Sequence, residues 1–342
     1  MKILVTGAAG FIGYHVTHAL LQQGLRVWGI DNLNAYYNPR LKQARVRLLE
    51  QTPHSEHFDF LLMDLTDRPA MESLIAKQQF THIIHLAAQA GVRYSIANPH
   101  AYAQSNLVSF LNILEGARAV QAKHLIYASS SSVYGLNAAI PFRESDNVDH
   151  PVSLYAATKK ANELMAHTYS YLYNIPCTGL RFFTVYGPWG RPDMAYYSFT
   201  EAILRDHVIY VNNNGQMRRD FTYIDDVVES ILRLLDKPPQ PDPEWNPERP
   251  NPATSIAPFR IYNIGNHTPI ELNDFIATLE RLLGKKAKIE YRGMAQGDVL
   301  ATAADVTALH AAVGFQPSTP LEEGLKRFIA WYREYGYRFA AV

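Results

Sequence analysis

The sequence predicts an α/β protein, a doubly wound parallel sheet joined to a smaller, mostly C-terminal α/β lobe. Three observations carry that expectation. Short apolar runs alternate with helical patterns through the first half of the chain, which is the signature of parallel βαβ units. Glycines at positions 7, 10 and 13 stand between the first apolar run and the first helical pattern, where a sheet of this kind makes its first turn. Beyond residue 185 the alternation weakens, so residues 1–185 are expected to form the sheet domain. Residues 186–342 form mainly the lobe, with some segments returning to the sheet.

The elements follow in order. "KILVT" (2–6) is the first strand, a helix runs near 11–23, and "RVWGI" forms a second strand that ends at Asp31. "HFDFLLMD" and "THIIHLAA" supply two more strands, with a helical segment at 67–77 between them. A longer helix at 100–119 precedes the strand "HLIYAS", and another at 153–173 precedes "PCTGLRFF". Further helices are expected near 195–206, 224–236, 271–283 and 321–334. Residues 237–258 hold eight prolines, which rules out a helix and leaves few donors for a sheet. They read as a surface loop before the strand "FRIYNIG".

Bulk properties narrow the function. The 342 residues suffice for a large core. Lys plus Arg and Asp plus Glu number 32 each, so there is no basic field to attract nucleic acid and no run to mark a membrane surface. No apolar stretch is long enough to span a bilayer, and the N-terminus reads as a strand instead of a signal peptide. One cysteine, Cys177, excludes an internal disulfide and a multi-cysteine metal site, and no metal is expected. A soluble, cytoplasmic protein is the expectation.

"TGAAGFIG" carries the triplet Gly7, Gly10 and Gly13, with Phe11 and Ile12 inside it. Missing side chains let backbone approach a pyrophosphate whose charge sits at a helix N-terminus; a bare tight turn is the plainer alternative. Asp31 ends the second strand 18 positions after Gly13, about where an acid accepts the adenosine ribose hydroxyls. With Asn32 beside it and no arginine adjoining, this favours NAD over NADP. Asp64 and Leu65 end the third strand and are placed at the adenine edge.

Tyr155 and Lys159 are four apart on a predicted helix, and so on one face. An ammonium beside a phenol lowers a pKa near ~10, and a phenol so tuned can take a proton from a sugar hydroxyl and return it. Alone, the pair is common. "YASSSSVYG" places Ser129 to Ser132 after a buried strand, where hydroxyls can donate to an oxygen that becomes a carbonyl; a serine-rich cap is the alternative.

The motifs "TGAAGFIG", "LAAQAGV", "ASSSSVYG", "YAATK" and "RRDFTYIDD" resemble, in order and spacing, the extended short-chain dehydrogenase/reductase superfamily. Within it the chain is similar to the nucleotide-sugar 4-epimerases over nearly its whole length. The resemblance implies a Rossmann-type sheet and a tightly bound NAD regenerated each turnover. It makes Tyr155 the general base and acid, Lys159 its tuning partner and holder of the nicotinamide ribose, and Ser130 the hydroxyl sharing the O4 proton. It places Ala87, Ala88 and Asn106 along the cofactor, and Phe183 and Thr184 at the nicotinamide and sugar. Ile209 and Val211 belong by the same resemblance to a strand flanking uracil, and Arg219 to the diphosphate. Relatives that dehydrate or decarboxylate carry an acid before "VYG"; here that position is Ser132, which points to epimerisation alone.

"FFTVYGPWGRPDMA" is similar to the corresponding loop of the UDP-glucuronate 4-epimerases. Arg191 in it suits a C6 carboxylate, because a guanidinium binds carboxylates in a planar fork, although an arginine in a Gly-Pro loop can also simply face solvent. Met194 follows in the same loop. Oxidation at C4 turns a uronate into a β-keto acid prone to lose CO₂, and Arg191, Ser131, Ser132 and Thr184 are assigned the task of preventing that loss. "MAQGDV" (294–299) departs from the family's Met-Gln-Pro-Gly-Asp-Val but keeps Gly297 and Asp298, which leaves nucleotide affinity open. Arg93 is a further candidate for the substrate phosphates or carboxylate. The competing expectations are a UDP-glucose/UDP-galactose-type epimerase and a non-catalytic NAD-binding regulator. A homodimer through a four-helix interface of helices 100–119 and 153–173 is what the resemblance implies for assembly.

Overall fold

The computed structural model describes residues 1–339. β1 (Lys2–Thr6), α1 (Phe11–Gln22), β2 (Arg26–Asp31), α2 (Pro39–Leu49) and β3 (Phe58–Leu62) open the chain. α3 (Arg68–Gln78), β4 (His82–His85), α4 (Val92–Ala97), α5 (Pro99–Tyr102), α6 (Ser109–Ala119), β5 (His124–Ser130), α7 (Leu154–Tyr173) and β6 (Cys177–Phe182) follow. The lobe contributes β7 (Thr184–Tyr186), α8 (Ala195–Leu204), β8 (Val208–Asn212), β9 (Arg218–Tyr223), α9 (Ile224–Leu235), β10 (Phe259–Ile264), β11 (Pro269–Glu271), α10 (Leu272–Leu283), β12 (Lys288–Arg292), α11 (Thr307–Val313) and α12 (Leu321–Glu334).

Seven strands form one sheet in the order β10-β6-β5-β4-β1-β2-β3, and every neighbouring pair is parallel. A sheet covered on both faces must be apolar on both, which explains why Ile3, Leu4 and Val5 are all fully buried. Ile3, Val5, Ile84 and Ile126 share a buried apolar cluster with Val16 of α1 and Ile231 of α9, and the cluster continues into the lobe as far as Phe328 of α12. Leu4, Ile83 and Leu125 pack on the other face with Ile75, Phe110 and Ala166. The chain reverses its direction of winding between β1 and β4, which opens a crevice at the carboxyl ends of those strands. β10 is drawn from the lobe's stretch of sequence. The lobe itself holds a three-stranded sheet, β11-β9-β7, and a pair, β12-β8.

The structure departs from the sequence expectations in several places, the short helices α4 and α11 and the lobe strands β11 and β12 among them. α2 was not anticipated, although its start is written in the sequence: Asn38 Oδ1 accepts from Arg40 N at 3.1 Å and Pro39 occupies the first turn, a cap followed by a residue already set for helix. The helix expected at 100–119 is α5 and α6 joined by a π-helical segment, Ala103–Val108. The proline-rich segment has no regular structure, yet it is anchored at its far end, where Ala253, Thr254 and Ser255 are buried.

Candidate functional site

A cavity of about 960 Å³ lies at the carboxyl ends of the central strands and extends into the lobe. Its cofactor end is made by backbone. Gly7 has φ +71°, and a Cβ there would stand 2.8 Å from Ala87 N; Cβ atoms at Gly10 and Gly13 would stand 2.9 and 2.0 Å from Gly7 O. No side chain fits at these positions. Gly7 N donates to Ile30 O at 2.7 Å and Gly10 N to Gly7 O at 2.8 Å, so the turn is tied to β2 and closed on itself. Gly10 caps α1 without a side chain, which leaves the helix's first N–H groups open to an anion.

Around the loop, Phe11, Ile12, Asp31, Asn32, Asp64, Leu65, Ala87 and Ala88 all line the cavity. Asp31 accepts from Leu33 N at 2.8 Å, and Lys42, unforeseen in the sequence because α2 was missed, approaches it at 4.0 Å while donating to Asn34. Burial holds the Lys42 pKa below its ordinary value, against the pull of Asp31. Burial raises the Asp64 carboxyl, but hydrogen bonds from Thr66 and Asn32 outweigh it and keep it low. A cradle that any Cβ would fill, an open helix start and a carboxylate at the end of β2 together fit a dinucleotide with free ribose hydroxyls.

The catalytic candidates converge at the end of β5. Ser130, Ser131, Ser132, Tyr155, Lys159 and Phe183 share the cavity wall. Burial raises the Tyr155 phenol above its ordinary pKa, while a hydrogen bond with Ser130 and the charge of Arg191 oppose that rise. Ser130 Oγ also donates to Ser132 Oγ at 3.1 Å. Lys159 Nζ donates to Ala128 O at 2.8 Å, and burial pulls its pKa down to about 8 despite Glu163. Beneath them, Ser129 Oγ donates to Glu163 at 2.6 Å, and Arg181 grips both oxygens of that carboxylate at 2.9 Å. This buried pair leaves no group unmatched and fixes β5 to α7 and β6.

The substrate end is made by side chains from distant segments. Arg191, Met194, Thr184, Arg93, Arg219 and Asp298 all line the cavity. Asp298 Oδ2 accepts from Arg93 at 2.9 Å and from Asn212 at 3.2 Å. Burial lowers the Arg219 pKa, opposed by Asp298. Arg191 donates from Nε to Asp193 Oδ1 at 3.1 Å and from Nη2 to Asp193 Oδ2 at 2.5 Å. Burial works against the Arg191 charge, and Asp193 more than offsets it, so the guanidinium is held firmly protonated.

Three sequence expectations do not place a side chain in the cavity. Ile209 and Val211 are 2% and 0% exposed and pack in the core. Side chains alternate along a strand, and the residues of β8 whose side chains face the cavity are Tyr210 and Asn212. Asn106 is 1% exposed and stands behind the wall, where its side chain clamps both Gln89 N at 2.8 Å and Gln89 O at 3.1 Å. Arg45, fully buried on α2, was not singled out either. It donates to Ala9 O at 2.8 Å and to Trp189 O and Gly190 O at 2.6 and 3.1 Å, which ties the glycine loop to the stretch before Arg191. Among the described residues no cluster of three or more His, Cys, Asp or Glu side chains is placed to hold a metal, and no helix is long and apolar enough to cross a membrane.

Residues 3–265 match the model of the NAD dependent epimerase/dehydratase family. Protein CapI of Staphylococcus aureus is 52% identical over 335 residues, covering 98% of this chain and 99% of its own. UDP-glucuronate 4-epimerase 3 of Arabidopsis thaliana is 46% identical over 340 residues, 98% of this chain and 77% of that one. The crystal structure of a UDP-glucuronic acid 4-epimerase from Bacillus cereus, in complex with UDP-glucuronic acid and NAD, has a TM-score of 0.85 at 30% identity, covering 98% of this chain and 99% of that chain.

Proposed function

The chain belongs to the NAD dependent epimerase/dehydratase family, and from that premise we propose that it interconverts UDP-glucuronate and UDP-galacturonate by inverting C4. The observation that carries the substrate is Arg191. It lines the same cavity as Tyr155, Ser130 and Lys159, and a neutral hexose has no group at C6 that needs a guanidinium.

The Gly7–Gly13 loop, Asp31 and Lys159 would hold NAD, which when bound would supply reversible hydride acceptance at C4. The chain's own residues manage the proton and the sugar. Tyr155 takes the O4 proton as the carbonyl forms and returns it on reduction, and Ser130, on the same cavity wall, shares that proton. Lys159, on the same cavity wall as Tyr155, keeps its positive charge until pH approaches about 8. Arg219 and Arg93, at the cavity's substrate end, neutralise the diphosphate while the 4-keto sugar turns between its two faces. Arg191, Ser131, Ser132 and Thr184 bind the carboxylate. Ser132 stands where a dehydrating or decarboxylating relative carries an acid, so this site lacks a carboxyl group to handle a proton at C5.

The test is product analysis of purified protein with NAD and UDP-glucuronate. UDP-galacturonate should appear without accumulation of reduced cofactor; unchanged substrate at long times refutes the proposal. We further propose that the enzyme works in the cytoplasm as a homodimer. Val108, Leu111, Leu164, Tyr171 and Leu172 are exposed on the α6–α7 side of the molecule, as a four-helix interface requires. Light scattering at the mass of one chain would refute the dimer.

A further inference from the structure

A guanidinium has two edges that can grip a carboxylate, Nε–Nη2 and Nη1–Nη2. In this structure the first edge is taken by Asp193, through Nε to Oδ1 at 3.1 Å and Nη2 to Oδ2 at 2.5 Å. Asp193 is itself held, because Tyr36 Oη donates to its Oδ2 at 3.1 Å from a loop 157 residues away. The Tyr36 hydroxyl is pinned in turn against Gly91, where a Cβ would stand only 2.5 Å from it. Arg191 is anchored at its base as well: its backbone N donates to Tyr196 Oη at 3.1 Å. The remaining Nη1–Nη2 edge therefore points in one direction.

We propose that Asp193, seconded by Tyr36, is a positioning residue that fixes the Arg191 fork and thereby decides whether the oxidised substrate keeps or loses its carboxyl group. The inference rests on the assignment of UDP-glucuronate as substrate. In the 4-keto sugar the C5–C6 bond breaks easily only when it stands perpendicular to the C4 carbonyl plane. Its electron pair then passes to C5 and the carbonyl as an enolate, CO₂ leaves, and C5 takes a proton from water. The oxidation that creates the ketone is the one the epimerisation already performs, and the hydride it sets aside either returns to C4 of the 4-keto pentose, giving the pentose, or stays on the cofactor while the 4-keto pentose leaves, so no further reagent is needed. A carboxylate clamped by a fork of fixed orientation holds C6 away from the perpendicular. A fork free to swing lets C6 reach it, and a displacement of about 1 Å is enough to change such a rate many-fold.

The arrangement also accounts for a charge problem. An unpaired Arg191 in this cavity would pull on any carboxylate or phosphate that entered. Paired with Asp193 on one edge, it keeps a directional fork with little net charge, which favours an acid that fits the geometry over anions in general.

The experiment compares wild type, Asp193→Asn and Tyr36→Phe, each with NAD and UDP-glucuronate, scoring uronate and pentose products together with released CO₂. Wild type should give UDP-galacturonate with little pentose. Asp193→Asn should raise the pentose share roughly tenfold or more, and Tyr36→Phe, which removes only the supporting hydroxyl, should raise it by less. Tyr36→Phe also serves if Asp193→Asn fails to fold, since it leaves the ion pair in place. A purely structural role would lower turnover with the pentose share unchanged in both variants, and that result overturns the proposal. If wild type itself leaves UDP-glucuronate untouched, the substrate assignment falls and this inference with it.

Discussion

The two ends of the cavity are built by opposite means. At the cofactor end the recognition surface is backbone: a turn whose glycines leave no room for a Cβ, closed by Gly10 N to Gly7 O and docked on β2. At the substrate end it is side chains: Arg93 from α4, Asn212 from β8, Arg219 from β9, Arg191 from the loop after β7, and Asp298 from the segment after β12. The first end is tied directly to the sheet, through Gly7 N to Ile30 O. The second exists only when five remote segments have come together, so it can change its ligand without touching the fold. Arg45 is the link, since a single buried guanidinium holds Ala9 O on one side and Trp189 O and Gly190 O on the other.

Substitutions can break that contrast at known places. The largest effect is expected where the ends meet: Tyr155→Phe removes the proton carrier and should lower kcat by roughly 10²–10⁴-fold with KM little changed, as steady-state kinetics would reveal. Next, Gly13→Ala should fail on both counts at once. Its Cβ would lie 2.0 Å from Gly7 O, so stability should fall by about 1–3 kcal/mol and bound NAD should be lost during purification. Retained NAD with an unchanged Tm would contradict a backbone-built cofactor end. Asp298→Asn should do the reverse, raising KM several-fold by loosening Arg93 and Arg219 while shifting stability by less than about 0.5 kcal/mol.

A smaller effect is expected from pH. The Lys159 ammonium loses its proton near 8 in the folded chain, against 10.5 for an ordinary lysine. Between those values the unfolded chain binds the extra proton, so this group's contribution to stability rises with pH across that window. Turnover should move the other way, falling as pH passes through about 8, because the role proposed for Lys159, holding the nicotinamide ribose and supporting Tyr155, needs its ammonium. Parallel melting and rate profiles from pH 7 to about 10.5 would check the crossing.

This contrast also explains what could be read from the sequence. The glycine triplet, Asp31 and the Tyr155–Lys159 spacing are local patterns whose geometry follows from a turn, a strand end and one helical face, and the structure brings them to one cavity. Arg191 was visible as an odd residue in a Gly-Pro loop, but its control by Asp193 and Tyr36 was not, since Tyr36 comes from a loop with no periodic signature. The strand of Ile209 and Val211 is legible, but which of its side chains face the cavity is not, since one residue of slip exchanges the two faces. α2, and with it Lys42 and Arg45, was missed although Asn38 and Pro39 announce a helix start.

The central claim is that Arg191 makes the substrate end specific for an acid, and the selectivity ratio measures it directly. Wild type and Arg191→Leu should each be assayed for kcat/KM on UDP-glucuronate and on UDP-glucose. A charge-assisted fork of about 1.5–3 kcal/mol predicts that the variant loses roughly 10- to 150-fold on the uronate and little on the hexose. An unchanged ratio between the two sugars would contradict the account.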